Sequence, residues 1–402
     1  MIIKGNIDIY IEKSIHNKMN GVSEYAIDFY NLQSANTLFL YILARVEYSP
    51  FKFYKLVLPY EKYNVMASGS WYSLPLEFFN NAILRVLNEE DLESSAYSGI
   101  IKIERLGVKL SNFLIPQKRL DNEFKSYVDE GNLELDEIRD KLDSEEFKLE
   151  LTIVDCGQGN WNEISTTHDV LIYDMGASQS YSEIQTKTLV SGRRKIHGHK
   201  KTVIVISHWD MDHFQALKYL ESDQLGGITA VYGPSNIPPT NVYRDMIRHL
   251  KGYDISCGFI PPTTKRQGRR IDLNLLLSTI DIDLYRATSG SSRNQTGIVL
   301  VVKGAEDRIS LLTGDHHYNK ILNAVRNRYC KNDVILVVPH HGGEAGTISV
   351  ADWRNKFKSI DCVISVGSNS YGHPNQNLRK LEKLQGSSPK RTDQNGNVIY
   401  NI

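Results

Sequence analysis

An excess of either charge is missing from this chain: Lys+Arg and Asp+Glu both number 47 in 402 residues, a formal net charge of zero. A nucleic-acid coat or a membrane-surface protein carries a basic excess. Affinity for a polyanion therefore has to come from local patches. Cysteine is scarce as well, and Cys156, Cys257, Cys330 and Cys362 form no Cys-x-x-Cys pair. Such scatter argues against a disulfide framework or a cysteine zinc site and reads as reduced thiols in a cytoplasmic protein. Long apolar runs are absent too. The longest, around Leu38–Ala44, falls well short of the roughly 20 residues that span a bilayer, so no membrane is expected among the partners. The start, Met1 to Asp8, lacks the apolar stretch and small-residue cleavage site of a signal peptide.

What is present is the composition of a soluble globular protein, 41% hydrophobic and 23% charged, at a length that favours two domains. Residues 1–116 mix strand-like alternation at Ile7–Ile11 and Phe51–Leu58 with helical spacing over Leu76–Leu87. With His16 as its one histidine, this part shows no chemistry and reads as a small α/β domain that docks a protein partner. Residues 117–146 are rich in charge (Asp121, Glu123, Asp129, Glu130, Glu134, Asp136, Glu137) and read as a charged helical connector. From residue 147 to 402, apolar strands ending in polar residues alternate with helical patterns such as Asn241–Lys251 and His317–Tyr329. That alternation predicts a layered α/β domain with active groups at strand ends.

The strand Thr202–Ile206 runs into Ser207-His208-Trp209-Asp210-Met211-Asp212-His213, so one loop presents two imidazoles and two carboxylates. This mixture suits Zn, Mn or Fe, and four close ligands can serve two ions. His208 with Asp210 would face one ion, and Asp212 with His213 the other. Two later strands end in Thr313-Gly314-Asp315 and Val338-Pro339-His340-His341-Gly342. Each is weak alone, since Gly-Asp is a common turn and paired histidines are often incidental. Their shared position at strand ends makes the set strong. His316 and His317, directly after Asp315, read as helix-start surface residues or substrate contacts.

These segments resemble the metallo-β-lactamase superfamily, in particular the hydrolase domain of the competence protein ComEC. Val154-Asp155-Cys156-Gly157-Gln158-Gly159-Asn160 is similar to that branch's opening motif, with Asn160 where an aspartate is usual. Leu171-Ile172-Tyr173-Asp174-Met175-Gly176 follows, then the Ser207–His213 loop, Asn294-Gln295-Thr296-Gly297, Asp315, His340-His341, and Asn369 with Tyr371-Gly372-His373-Pro374. The resemblance covers residues 147–402 and implies an αββα sandwich. It also implies up to two divalent ions, Zn or Mn, one held by His208 and Asp210. The second would be held by Asp212, Asp315 and either His340 or His341, with Asp315 bridging. The usual third histidine of the first ion is absent, and Asn294 stands nearest its place, which implies a first site that is weak, filled by Mn rather than Zn, or empty at rest. Asp212, His340 and His373 are the expected catalytic residues. Asn294, Asn369 and His373 are expected near a phosphate or leaving group, and Asp155 and Asp174 are expected to brace the loop.

The resemblance implies a metal-dependent hydrolase of phosphodiester bonds, first of all a nuclease on DNA. Basic stretches at Arg193-Arg194-Lys195 and Lys265 to Arg270 could contact a nucleic-acid backbone. A small-molecule phosphoesterase and a regulatory subunit with a degenerate metal site are the alternatives. By analogy, such a chain suits a multi-gene bacterial defence system.

Overall fold

The computed structural model describes residues 5–42, 52–86, 97–106, 108–126, 149–198, 200–264, 270–369, 372–374 and 377–402. The chain divides into two compact units, both discontinuous. One gathers residues 1–128, 180–186 and 237–252; the other gathers 129–179, 187–236 and 253–402. Of the expected connector, only residues 117–126 are described, with a short helix at Asn122–Ser126; the remainder lies outside the described residues. No helix among the described residues is long and apolar enough to cross a membrane.

The larger unit has two seven-stranded sheets. The first comprises β8 (Glu150–Ile153), β9 (Trp161–Ser165), β10 (Asp169–Met175), β11 (Lys201–Val205), β12 (Ile228–Pro234), β13 (Ser256–Ile260) and β21 (Val398–Asn401). Its order is β13-β12-β11-β10-β9-β8-β21, with β10 to β13 parallel and the others antiparallel. The second sheet runs in chain order: β14 (Leu273–Ser278), β15 (Ile282–Ala287), β16 (Ile298–Lys303), β17 (Arg308–Leu312), β18 (Asp333–Val337), β19 (Ser359–Ile364) and β20 (Lys390–Arg391). Here β17 to β20 are parallel.

The sheets pack face to face. Leu151, Tyr173, Val203 and Val205 of the first share one core with Leu284, Leu300, Leu312, Val337 and Val363 of the second. Each such buried side chain contributes about 1.5–3 kcal/mol. The outer face of the second sheet is covered by the helices Tyr318–Val325, Val350–Lys356 and Leu378–Gln385, which place Tyr318, Ile321, Trp353 and Leu381 in a second core. On the first sheet, Ile164 points inward, so its neighbour Glu163 points outward. There it meets Arg193 and His197 of the helix Glu183–His197. This is the αββα layering that the resemblance implies. The parallel strands read as unbroken apolar runs, such as Val203-Ile204-Val205, because both their faces are covered.

The smaller unit carries a sheet ordered β5-β6-β3-β2-β1-β4-β7. Its strands are β1 (Asn6–Asn17), β2 (Val22–Phe29), β3 (Phe53–Pro59), β4 (Ser70–Pro75), β5 (Ala82–Val86), β6 (Tyr97–Ile103) and β7 (Leu114–Ile115). Ile7, Ile9 and Ile11 alternate onto one face, where the helix Leu32–Tyr41 adds Ala35, Leu38 and Phe39. The opposite face receives the helix Asn241–Lys251. Asp28 accepts from the Val242 amide, Glu12 accepts from the Tyr243 hydroxyl, both at 2.8 Å, and Asp121 receives the Arg244 guanidinium. The helical spacing expected over Leu76–Leu87 is corrected to a 3₁₀ turn at Leu76–Phe79 followed by β5; Leu87 itself lies outside the described residues. Spacings of three and four also fit a turn feeding a strand, and pairing with β6 decides the case.

Candidate metal centre

Parallel neighbours put several strand ends on one side of the sandwich, the usual place for a site in such sheets. The end of β11 delivers the 207–213 loop, β17 delivers Asp315, and β18 delivers His340 and His341. Asp174, at the end of β10, ties the loop down. It is fully buried, and its Oδ1 accepts from the Ser207 amide at 2.6 Å. Its Oδ2 accepts from Ser207 Oγ at 2.8 Å and Asn160 Nδ2 at 2.7 Å, and lies 2.8 Å from His213 Nδ1. Asn160 is the departure from the opening motif, and a carboxylate there would have met Asp174 with like charge. Gly176 allows the loop to lie close, because a Cβ at that position would stand 1.8 Å from the Asp212 carbonyl oxygen. Trp209 pins the other flank through its indole N–H, which donates to the Pro234 carbonyl at 2.7 Å.

These contacts orient the imidazoles. His208 Nδ1 lies 3.0 Å from Ser207 Oγ, and His341 Nδ1 lies 2.8 Å from the Ser365 carbonyl oxygen. With each Nδ1 engaged, Nε2 is the nitrogen turned inward. The ligand atoms of His208, His213 and Asp315 lie within 4.8 Å of one another, as do those of Asp212, His213 and His341. His208 Nε2, His213 Nε2, His341 Nε2 and Asp315 Oδ1 are buried without a hydrogen-bond partner among the described residues. Orphaned lone-pair atoms gathered in two groups that share His213 are costly unless something fills them. A divalent cation fits this donor set, which mixes imidazole and carboxylate.

The charges agree. Burial opposes a proton on His213, but Asp315 and Asp174 outweigh it and hold the imidazole well above its ordinary pKa. Burial likewise opposes charge on Asp315, yet His340, His213 and His208 hold its carboxyl well below the usual range. Asp315 is central: its oxygens lie 3.2 Å from His213 Nε2, 3.7 Å from His208 Nε2 and 3.6 Å from His340 Nε2. His341 Nε2 lies 3.6 Å from Asp212 Oδ2, and His208 Nε2 lies 3.7 Å from Asp210 Oδ2. His340 and His341 both have a φ of 54°, left-handed backbone that is strained for residues with side chains. His340 remains at the rim, its side chain 25% exposed and its ring 5.1 Å from that of His373.

Other expected residues fall elsewhere. Asn294 donates to Asp315 Oδ2 at 3.1 Å. Asn369 spends its amide on the Gly367 and His373 carbonyls, so it shapes the His373 loop. Asp155 accepts from Gly157 in the glycine turn, and its amide donates to Asn397. Arg193 and Arg194 require a correction: both are buried, not lining an entrance. Arg193 pairs with Glu163, and Arg194 donates to the Gln224 and Gly226 carbonyls and to Thr202. Lys195 is exposed on the same helix. In the second basic stretch, residues 265–269 lie outside the described residues. His316 is buried where a surface residue was one expectation, and burial lowers its pKa to about 3. Sequence reasoning passed over Arg293, whose Nε lies 2.8 Å from Asp210 Oδ1. A lone arginine in a turn carries no motif.

No protein-family model and no curated protein matches the chain. Among solved structures it is similar to the metallo-β-lactamase fold protein YhfI from Bacillus subtilis. That match has 10% identity and a TM-score of 0.38, covering 63% of this chain and 99% of that one. A diphosphatase from the PhnP family matches at 10% identity and a TM-score of 0.36, covering 63% and 98%. A protein of unknown function from Enterococcus faecalis V583 matches at 11% identity and a TM-score of 0.27, covering 51% and 55%.

Proposed function

We propose that this chain is a metal-dependent hydrolase of phosphodiester bonds. One observation carries the reading: the convergence of His208, His213, His341 and Asp315 with buried lone-pair atoms that no hydrogen bond fills. A divalent cation held there supplies Lewis acidity and brings the pKa of water toward neutrality. Asp174 and Ser207 keep the 207–213 loop in register, so His208 and His213 present their inner nitrogens without rearrangement. His340 and His373 face each other at the rim and are placed to give a proton to a leaving oxygen. For the substrate we favour a compact phosphodiester over DNA. Arg193 and Arg194 are committed to Glu163 and to backbone carbonyls, which removes a basic track that DNA would have used.

The test is hydrolysis of bis(p-nitrophenyl) phosphate and of labelled single- and double-stranded DNA with Mn²⁺, Zn²⁺ or Mg²⁺. An Asp212→Ala, His213→Ala double variant runs beside the wild type. The expected result is metal-dependent cleavage of the small diester, lost by about 10³-fold or more in the variant, which is about 4 kcal/mol of barrier. Preferred cleavage of DNA would restore the nuclease reading. No cleavage by protein that demonstrably binds the cation would leave a regulatory subunit.

A further inference from the structure

We infer that the centre takes one divalent cation, and that the Arg293 guanidinium stands where a second would be. The inference rests on the hydrolase reading and deepens it. Both residue groups that could hold a cation depend on His213. Its Nδ1 is engaged 2.8 Å from Asp174 Oδ2, so only Nε2 is left as a ligand atom. One nitrogen serves one ion, so the two groups compete for it.

On the side formed by His208 and Asp210, a guanidinium meanwhile stands beside the carboxylate. Arg293 Nε lies 2.8 Å from Asp210 Oδ1, with the two side chains 11% and 9% exposed. The same guanidinium donates through Nη1 to the Trp209 carbonyl at 3.0 Å, which ties it to the metal loop itself. The next residue, Asn294, turns an amide N–H onto Asp315 Oδ2 at 3.1 Å. Both residues belong to the turn that enters β16. Guanidinium and amide N–H groups offer no lone pair to a cation. A second ion there would also meet a permanent positive charge across a few ångströms of protein interior. Arg293 thus supplies a fixed charge beside a single cation, and its planar donor geometry suits a phosphoryl oxygen. The cation itself belongs with Asp212, His213 and His341, the group away from the guanidinium, with Asp315 Oδ1 beside His213.

The experiment counts ions independently of turnover. Mn²⁺ is titrated into the full-length wild type, Arg293→Lys and Arg293→His, read by calorimetry, native mass spectrometry and electron paramagnetic resonance. One equivalent with an isolated-ion spectrum is expected for the wild type and for Arg293→Lys. Arg293→His is expected to take two equivalents with a spin-coupled spectrum, since it replaces a cation with a ligand beside Asp210. Two equivalents on the wild type would overturn the inference. So would one equivalent on a folded Arg293→His protein, with folding judged by its melting temperature. If Arg293→His fails to fold, the wild-type and Arg293→Lys counts still decide. A wild type that binds one ion yet cleaves nothing would sink the hydrolase reading and leave the ion count standing.

Discussion

The two units each bury acidic side chains against a few neighbouring residues, and they treat them in opposite ways. In the smaller unit, the buried Asp28 and Glu12, with the 34% exposed Asp121 beside them, face donors from three consecutive residues, Val242, Tyr243 and Arg244, of one helix. In the larger unit, Asp315 faces imidazole nitrogens, and the inner atoms of His208, His213 and His341 have no hydrogen bond among the described residues. Buried acids matched by N–H and O–H groups hold a structure together. Buried acids surrounded by unfilled lone pairs are set to hold an ion. Asp210 lies in the second cluster but has the Arg293 guanidinium beside it, which is why its side of the centre reads as taken by a fixed charge.

The comparison breaks most visibly at Asp174, which belongs to the ion-binding cluster yet behaves like an acid of the smaller unit. Asp174→Asn should keep the fold and weaken Mn²⁺ affinity by about 10–100-fold, measured by calorimetry, because His213 loses the acceptor that orients it. Unchanged affinity would mean that the loop holds its own shape.

A smaller effect is expected from pH in the other cluster. Burial pushes the Asp28 carboxyl up to about 7 from 3.8, although hydrogen bonds from the Val242 and Phe29 amides pull it down. The folded chain therefore binds this proton more tightly than the unfolded one. The stability tied to it is whole below about pH 4 and is lost as the pH rises toward 7, by at most about 1.4 kcal/mol per pH unit. Urea unfolding at pH 5, 6 and 7 should show this slope in the wild type and lack it in Asp28→Asn. Parallel profiles would refute it. The smallest change is Tyr243→Phe, which removes the hydroxyl on Glu12 and should cost about 1 kcal/mol of unfolding free energy with cation affinity untouched.

Much of the centre was readable because its chemistry is local. Six consecutive residues after an apolar strand carry His208, Asp210, Asp212 and His213, and no long-range packing was needed to gather them. The layering followed from apolar strands alternating with helices. Other features depended on partners distant in sequence. Arg193 and Arg194 looked like a basic patch because Glu163, the residue that absorbs Arg193, lies 30 positions earlier as a lone acid in the mixed strand Trp161–Ser165. The helix Asn241–Lys251 showed its amphipathic spacing but not the surface it covers, and its partners are single acids on β1, on β2 and at Asp121. Arg293 gave no pattern at all, since its role comes from a turn folding back on Asp210.

That helix also sets a schedule for synthesis. The smaller unit draws on residues 237–252, although its first segment ends at residue 128. A ribosome adding about 5–20 residues per second takes roughly 6–25 s to cover the interval. Throughout that delay Asp28 and Glu12 wait without their helix, and β1 and β2 expose the face it will cover. The unit that begins to leave the ribosome first therefore cannot be completed before residue 252, and a chaperone would find its target in that uncovered face.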